Sequence, residues 1–96
     1  MPVSLSTHVL DTGQGRPGSG VHVELRRGEE LVASAETDAN GRALLADGLE
    51  PGRYRLAFDP PSPYFRRVEL ELELEDGHHH VPLLVSSYGC ATYRGS

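Results

Sequence analysis

Ninety-six residues, 14 acidic against nine basic for a formal charge of -5, bound the chain to one domain, 1–96, with one modest hydrophobic core. The acidic balance argues against a nucleic-acid backbone as a partner. The single cysteine, Cys90, excludes an intramolecular disulfide and a thiolate metal cluster, and fits a reducing compartment.

The opening MPVSLSTHVLD has neither a basic stretch nor a long apolar run, so it does not read as a secretory signal. No apolar stretch approaches the length that spans a bilayer, and the expected location is the cytoplasm, away from membranes. Residues 4–10 alternate, with Leu5, Thr7 and Val9 on one face of a strand and Ser6, His8 and Leu10 on the other. Asp11 to Gly20 is glycine-rich and carries a proline, which signals a loop. Val21, Val23 and Leu25 then alternate with His22, Glu24 and Arg26 as a half-buried strand, and Arg27–Glu30 turns the chain into a third strand, 31–37.

Asp38-Ala39-Asn40-Gly41 is a strong turn signal, because Asn-Gly supplies positive φ at little cost. Arg42 follows directly, and ALLADGL is expected to form a short edge strand. After the Glu50-Pro51-Gly52 turn, RYRLAFD places Tyr54, Leu56 and Phe58 inward. PPSPYF is too proline-rich for a strand and is expected to connect, with one helical turn. VELELELED alternates most regularly: Val68, Leu70, Leu72 and Leu74 toward a core, four glutamates toward water. Seven or eight short strands at close spacing, with no helical period, predict an all-β sandwich.

The chemistry-bearing residues stand in this frame. His8 sits mid-strand, opposite Thr7 and Val9, and reads as a surface or interface histidine. Of His78-His79-His80, alternation lets only His78 and His80 share a site. Zinc needs about four converging ligands, and His8 could supply only a third, so no metal is expected. Both faces of 80–85 are apolar, and the face with His80, Pro82 and Leu84 calls for a cover such as a second subunit. Arg42 reads either as a solvated cation or as one aimed at a carbonyl or anion. Arg94 reads as a pin for the chain's end, and Cys90 as inert packing. The end itself, Tyr93-Arg94-Gly95-Ser96, has an aromatic, a cation and a hydroxyl where expendable residues usually stand.

The stretches LSTHVLDTGQGRPGSGV, TDANGR and HHHVPLLVSSYGCATYRGS resemble the transthyretin-related 5-hydroxyisourate hydrolases, whose pattern runs THVLD, T-D-x-x-G-R, H-V-P-L-L and a final Y-R-G-S. The resemblance implies a transthyretin-like sandwich of two antiparallel sheets. It implies edge-joined dimers that pair into a homotetramer, with sites at the dimer–dimer contact. It places the catalytic residues on His8, Arg42, His80 and Ser96, and substrate contacts on His8, Arg42, Tyr93, Arg94 and Gly95. It implies hydrolysis of 5-hydroxyisourate, a purine-derived small molecule, to 2-oxo-4-hydroxy-4-carboxy-5-ureidoimidazoline, with no cofactor and no metal. A histidine near its ordinary pKa of about 6.5 can take a proton from water, and arginine can balance an oxyanion. Which histidine is the base stays open, and a transthyretin-fold protein that binds a small molecule without turning it over is the alternative. The chain departs from the family pattern at His79, where a tyrosine is usual, at Ser87, where a proline is usual, and in a shortened connection between Tyr64-Phe65 and Val68.

Overall fold

The computed structural model describes residues 2–95. Among these residues nine strands follow in chain order: β1 Val3–Asp11, β2 Arg16–Pro17, β3 His22–Arg27, β4 Glu30–Glu36, β5 Arg42–Leu49, β6 Gly52–Phe58, β7 Val68–Leu74, β8 Gly77–Val85 and β9 Cys90–Thr92. One sheet runs β4-β3-β6-β7. The other runs β2-β1-β8-β9, with β5 also paired to β1. β5 and β2 take successive stretches of the same β1 edge, residues 3–8 and 10–11. Pairing is antiparallel throughout except between β1 and β8, which lie parallel in a continuous register from Val3↔Gly77 to Asp11↔Val85.

The core lies between the sheets, where the alternation of each strand delivers its apolar side chains. Leu5 and Val9 from β1, Leu83 and Val85 from β8, Val23 and Leu25 from β3, and Leu56 and Phe58 from β6 have no exposed surface. Each such side chain contributes about 1.5–3 kcal/mol relative to an exposed one. Thr7 joins this inner row, and its hydroxyl donates to the Val81 carbonyl at 2.6 Å, so no polar group is stranded.

Four local expectations differ from the structure. The glycine-rich loop contains a two-residue strand, β2, held by Leu10 and Asp11 of β1. Residues 59–67 contain no helical turn. There Ser62 Oγ accepts from the amides of Tyr64 and Phe65 at 3.1 and 3.0 Å and donates to the Ser87 carbonyl at 3.3 Å, replacing a helical ladder with a side-chain hub. Leu74 of β7 is buried, but Val68, Leu70 and Leu72 are only half-buried, because β7 is an edge strand with the sandwich open beside it. Cys90 is exposed rather than packed, since β9 is a short edge strand exposed along its length.

One turn deserves its sequence. Asp38 Oδ1 accepts from the amides of Asn40 and Arg42 at 2.9 and 3.0 Å, and the Gly41 amide donates to the Asp38 carbonyl at 2.9 Å. Those amide bonds from Arg42 and Asn40 hold the Asp38 carboxyl below its ordinary pKa. Gly41 has φ of 79°, and a Cβ there would collide with the Val9 carbonyl oxygen. Only glycine allows both the left-handed backbone and the approach to β1.

Candidate functional site

The outward face of the β1–β8–β5 sheet collects the side chains, mostly polar, that alternation turns away from the core. On β1 these are Ser4, Ser6 and His8; on β8, His78 and His80; on β5, Arg42 and Leu44. The register sets them in rows: Leu44, Ser6 and His80 in one, Arg42, His8 and Pro82 in the next. Arg42, Ala43, Leu44, Ser6, Thr7, His78 and His80 line a cleft of about 400 Å³, within the range of small-ligand sites. His8 lies directly across the β1–β5 pair from Arg42. The two imidazoles of His8 and His80 thus stand on neighbouring strands of one sheet.

His8 Nε2 donates to the Asn40 carbonyl at 2.9 Å. A carbonyl only accepts, so Nε2 carries the hydrogen and the neutral ring keeps its lone pair on Nδ1. Arg42 starts β5 immediately after the turn, and its guanidinium forms no ion pair among the described residues, leaving its donors open to an anionic oxygen. His80 is half-buried, and its pKa is lowered from the ordinary histidine value, first by burial and then by its electrostatic interactions with Arg42, His78 and His8. The neutral, proton-accepting form of His80 therefore prevails at neutral pH. Its Nδ1 is 2.8 Å from Ser6 Oγ.

The chain's end reaches this face. β9 pairs with β8 from Val85↔Cys90 to Leu83↔Thr92, and the same register returns at His80↔Gly95. The Gly95 amide donates to the His80 carbonyl at 2.6 Å. A Cβ on Gly95 would sit 2.8 Å from His80 Cδ2, so the absent side chain leaves room for the imidazole. Tyr93 and Arg94 border a different cleft, about 460 Å³, between β7 and β8 with His79 and Val81. Ser96 lies outside the described residues. His79 points into the sandwich, 5% exposed, with Nε2 2.9 Å from the Glu75 carbonyl oxygen; it closes the β7–β8 turn. Residues 59–67 do not line the His80 cleft: the shortened connection packs instead on the turn after β8, with Tyr64 and Tyr88 ring centroids 5.9 Å apart.

Ser6 and Leu44 enter the cleft without having been singled out by sequence. Ser6 shares alternation with His8, which was the available signal. Leu44 faces outward, 64% exposed, because it stands two residues after Arg42 in β5 and opposite outward-facing Ser6. Among the described residues no cluster of three or more His, Cys, Asp or Glu side chains is arranged to hold a metal ion.

A two-sheet sandwich with β1 and β8 parallel at the centre of one sheet, and histidines and arginine on its outer face, is a transthyretin-type protein. Sea bream transthyretin, solved with thyroxine, superposes with a TM-score of 0.84 over 95% of this chain and 93% of its own at 22% identity, a likeness of fold. The chain belongs to the HIUase/transthyretin family, whose model matches residues 5–95. It is 43% identical to the 5-hydroxyisourate hydrolase of Caulobacter vibrioides over an alignment of 112 residues that covers 96% of this chain and 97% of the relative. The solved 5-hydroxyisourate hydrolase of Klebsiella pneumoniae superposes with a TM-score of 0.89 at 36% identity, over 98% of this chain and 99% of that one.

Proposed function

We propose that this chain hydrolyses 5-hydroxyisourate, opening its six-membered ring to give 2-oxo-4-hydroxy-4-carboxy-5-ureidoimidazoline in urate degradation. Full-length likeness to hydrolases of that name supports the substrate. The observation that carries the reading is that Arg42 and His80 line one cleft, with His8 beside Arg42 on the same outer face.

The chemistry then runs as follows. A water molecule attacks a ring carbonyl carbon while neutral His80 accepts its proton, a step that contributes typically about 10²–10⁴-fold. His8, held through Nε2–H on the Asn40 carbonyl, positions that water with Nδ1. The Arg42 guanidinium balances the oxyanion as charge develops. Collapse of the tetrahedral intermediate breaks the carbon–nitrogen bond, and the proton held on histidine passes to the departing ring nitrogen. No metal or organic cofactor enters this scheme.

The cleft is open on one side, and the exposed Leu44 at its rim fits a cover by another copy of the chain. The proposed assembly is a homotetramer, a dimer of dimers, with Tyr93, Arg94 and Gly95 contributing to substrate contacts near the subunit boundary and Ser96 completing the catalytic set. The proposed location is the cytoplasm. Ultraviolet decay of freshly generated 5-hydroxyisourate tests the activity: acceleration proportional to protein is expected, and decay at the spontaneous rate rejects it. Solution mass separates the tetramer from smaller species.

A further inference from the structure

Across the outer face, four side chains form one unbroken chain of hydrogen bonds that ends at His80. Ser4 Oγ lies 2.6 Å from His78 Nδ1, Ser6 Oγ lies 2.9 Å from His78 Nε2, and Ser6 Oγ lies 2.8 Å from His80 Nδ1. The parallel register produces it: Ser4 is level with His78 and Ser6 with His80, so alternate residues of two neighbouring strands interleave. His78 is exposed while His80 is half-buried, so the chain runs from solvent into the cleft.

The Ser6 hydroxyl has one proton and two imidazole partners, so it donates to one and accepts from the other. The chain therefore has a direction. Reversing that direction moves each proton by one step and exchanges the nitrogen on which His80 carries its hydrogen. The groups around His80 make a retained positive charge there unfavourable: His8 on β1, Arg42 on β5 and His78 on β8 all oppose it, and the terminal segment brings only the Gly95 backbone against the ring among the described residues.

We propose that Ser6 and His78 are positioning residues that act as a proton relay for His80, with Ser4 holding the far ring nitrogen of His78. This rests on the assignment of His80 to proton transfer given above. His80 starts with hydrogen on Nδ1, donated to Ser6 Oγ, and Ser6 donates to His78 Nε2. As water attacks, its proton goes to His80 Nε2 and its electron pair forms the bond to the ring carbonyl carbon. In the same step the Nδ1 proton passes to Ser6 Oγ and the Ser6 proton passes to His78 Nε2. His80 ends neutral, Ser6 ends a hydroxyl, and the charge rests on exposed His78. Protonation of the departing nitrogen from His80 Nε2 returns the relay to its starting order, as the proton on His78 comes back through Ser6 to Nδ1.

The test uses full-length Ser6→Ala, Ser6→Thr, His78→Gln and His80→Ala, with kcat and KM for 5-hydroxyisourate measured in dilute buffer and again with added imidazole. Glutamine keeps a hydrogen-bonding partner for Ser6 but cannot carry the proton, which separates relay from mere support. The expected result is a fall in kcat of about tenfold or more for Ser6→Ala and His78→Gln, within the range for acid–base participation, at little-changed KM. Ser6→Thr, which retains the hydroxyl, recovers most of the loss. Imidazole in solution raises the kcat of His78→Gln, because that position is open to solvent, and leaves wild type unchanged. His78→Gln at wild-type kcat in dilute buffer overturns the relay, as does Ser6→Ala at wild-type kcat. If either occurs while His80→Ala is inactive, the relay alone falls. Full activity of His80→Ala removes both the relay and the assignment beneath it.

Discussion

The two faces of the β1–β8 pair are built from alternate residues of the same two nine-residue strands, yet they do different work. Inward, Leu5, Thr7 and Val9 meet His79, Val81, Leu83 and Val85, all buried. Outward, Ser4, Ser6 and His8 meet His78 and His80, all partly or fully exposed. His79 and His80 are chain neighbours with opposite fates: one is sealed against Glu75 in the sandwich, the other reaches a cleft. A strand separates packing from chemistry by a single residue step, so substitutions on the two faces should change different observables.

The widest separation is expected for His80→Ala, which should lower kcat/KM by about 10²-fold or more with little change in melting temperature. The decay assay and a thermal melt on the same sample check it, and loss of the folded protein would make His80 part of the scaffold. Phe58→Ala is the inward counterpart. Phe58 has no exposed surface, and its truncation should cost about 3–5 kcal/mol, read by urea unfolding, with activity per folded molecule preserved.

Gly95→Ala probes the seam between the faces and the chain's end. The added Cβ must displace the His80 ring it would approach to 2.8 Å, so a several-fold fall in kcat is expected, larger than any accompanying loss of stability read by a thermal melt. The smallest effect concerns pH. The folded-state pKa of His80 is lowered, so the folded protein binds a proton there less readily than the unfolded chain. The associated stability is present above the ordinary histidine value and is lost as pH falls through the folded-state value. Melting temperature should therefore drop less steeply with acid in His80→Gln than in wild type; parallel curves for the two would contradict this.

Sequence periodicity revealed much of this arrangement and missed its lateral part. Alternation alone placed His8 opposite Thr7 and Val9, and kept His80 apart from His79, because side-chain direction along a strand is a local property. Ser6 was equally placed by alternation but gained no meaning, since its two imidazole partners lie 72 and 74 residues away and only the parallel β1–β8 register brings them alongside. The same gap explains β7: VELELEL reads as a regular inward row, but the half-burial of Val68, Leu70 and Leu72 depends on which strands lie beside it. The proline-rich 59–67 connection gave composition without geometry, and its Ser62 hub depends on the distant Ser87 carbonyl.

The Asp38–Gly41 turn has a consequence for how the cleft can vary. Its Asn40 carbonyl grips His8, its last amide bond launches Arg42, and the missing side chain of Gly41 lets it press on β1 just past His8. One four-residue corner thus acts as a jig for two side chains that the chain order separates by 34 positions. A substitution at Gly41 would knock both out of alignment together, so the histidine and the arginine share a common point of failure without touching each other's codons.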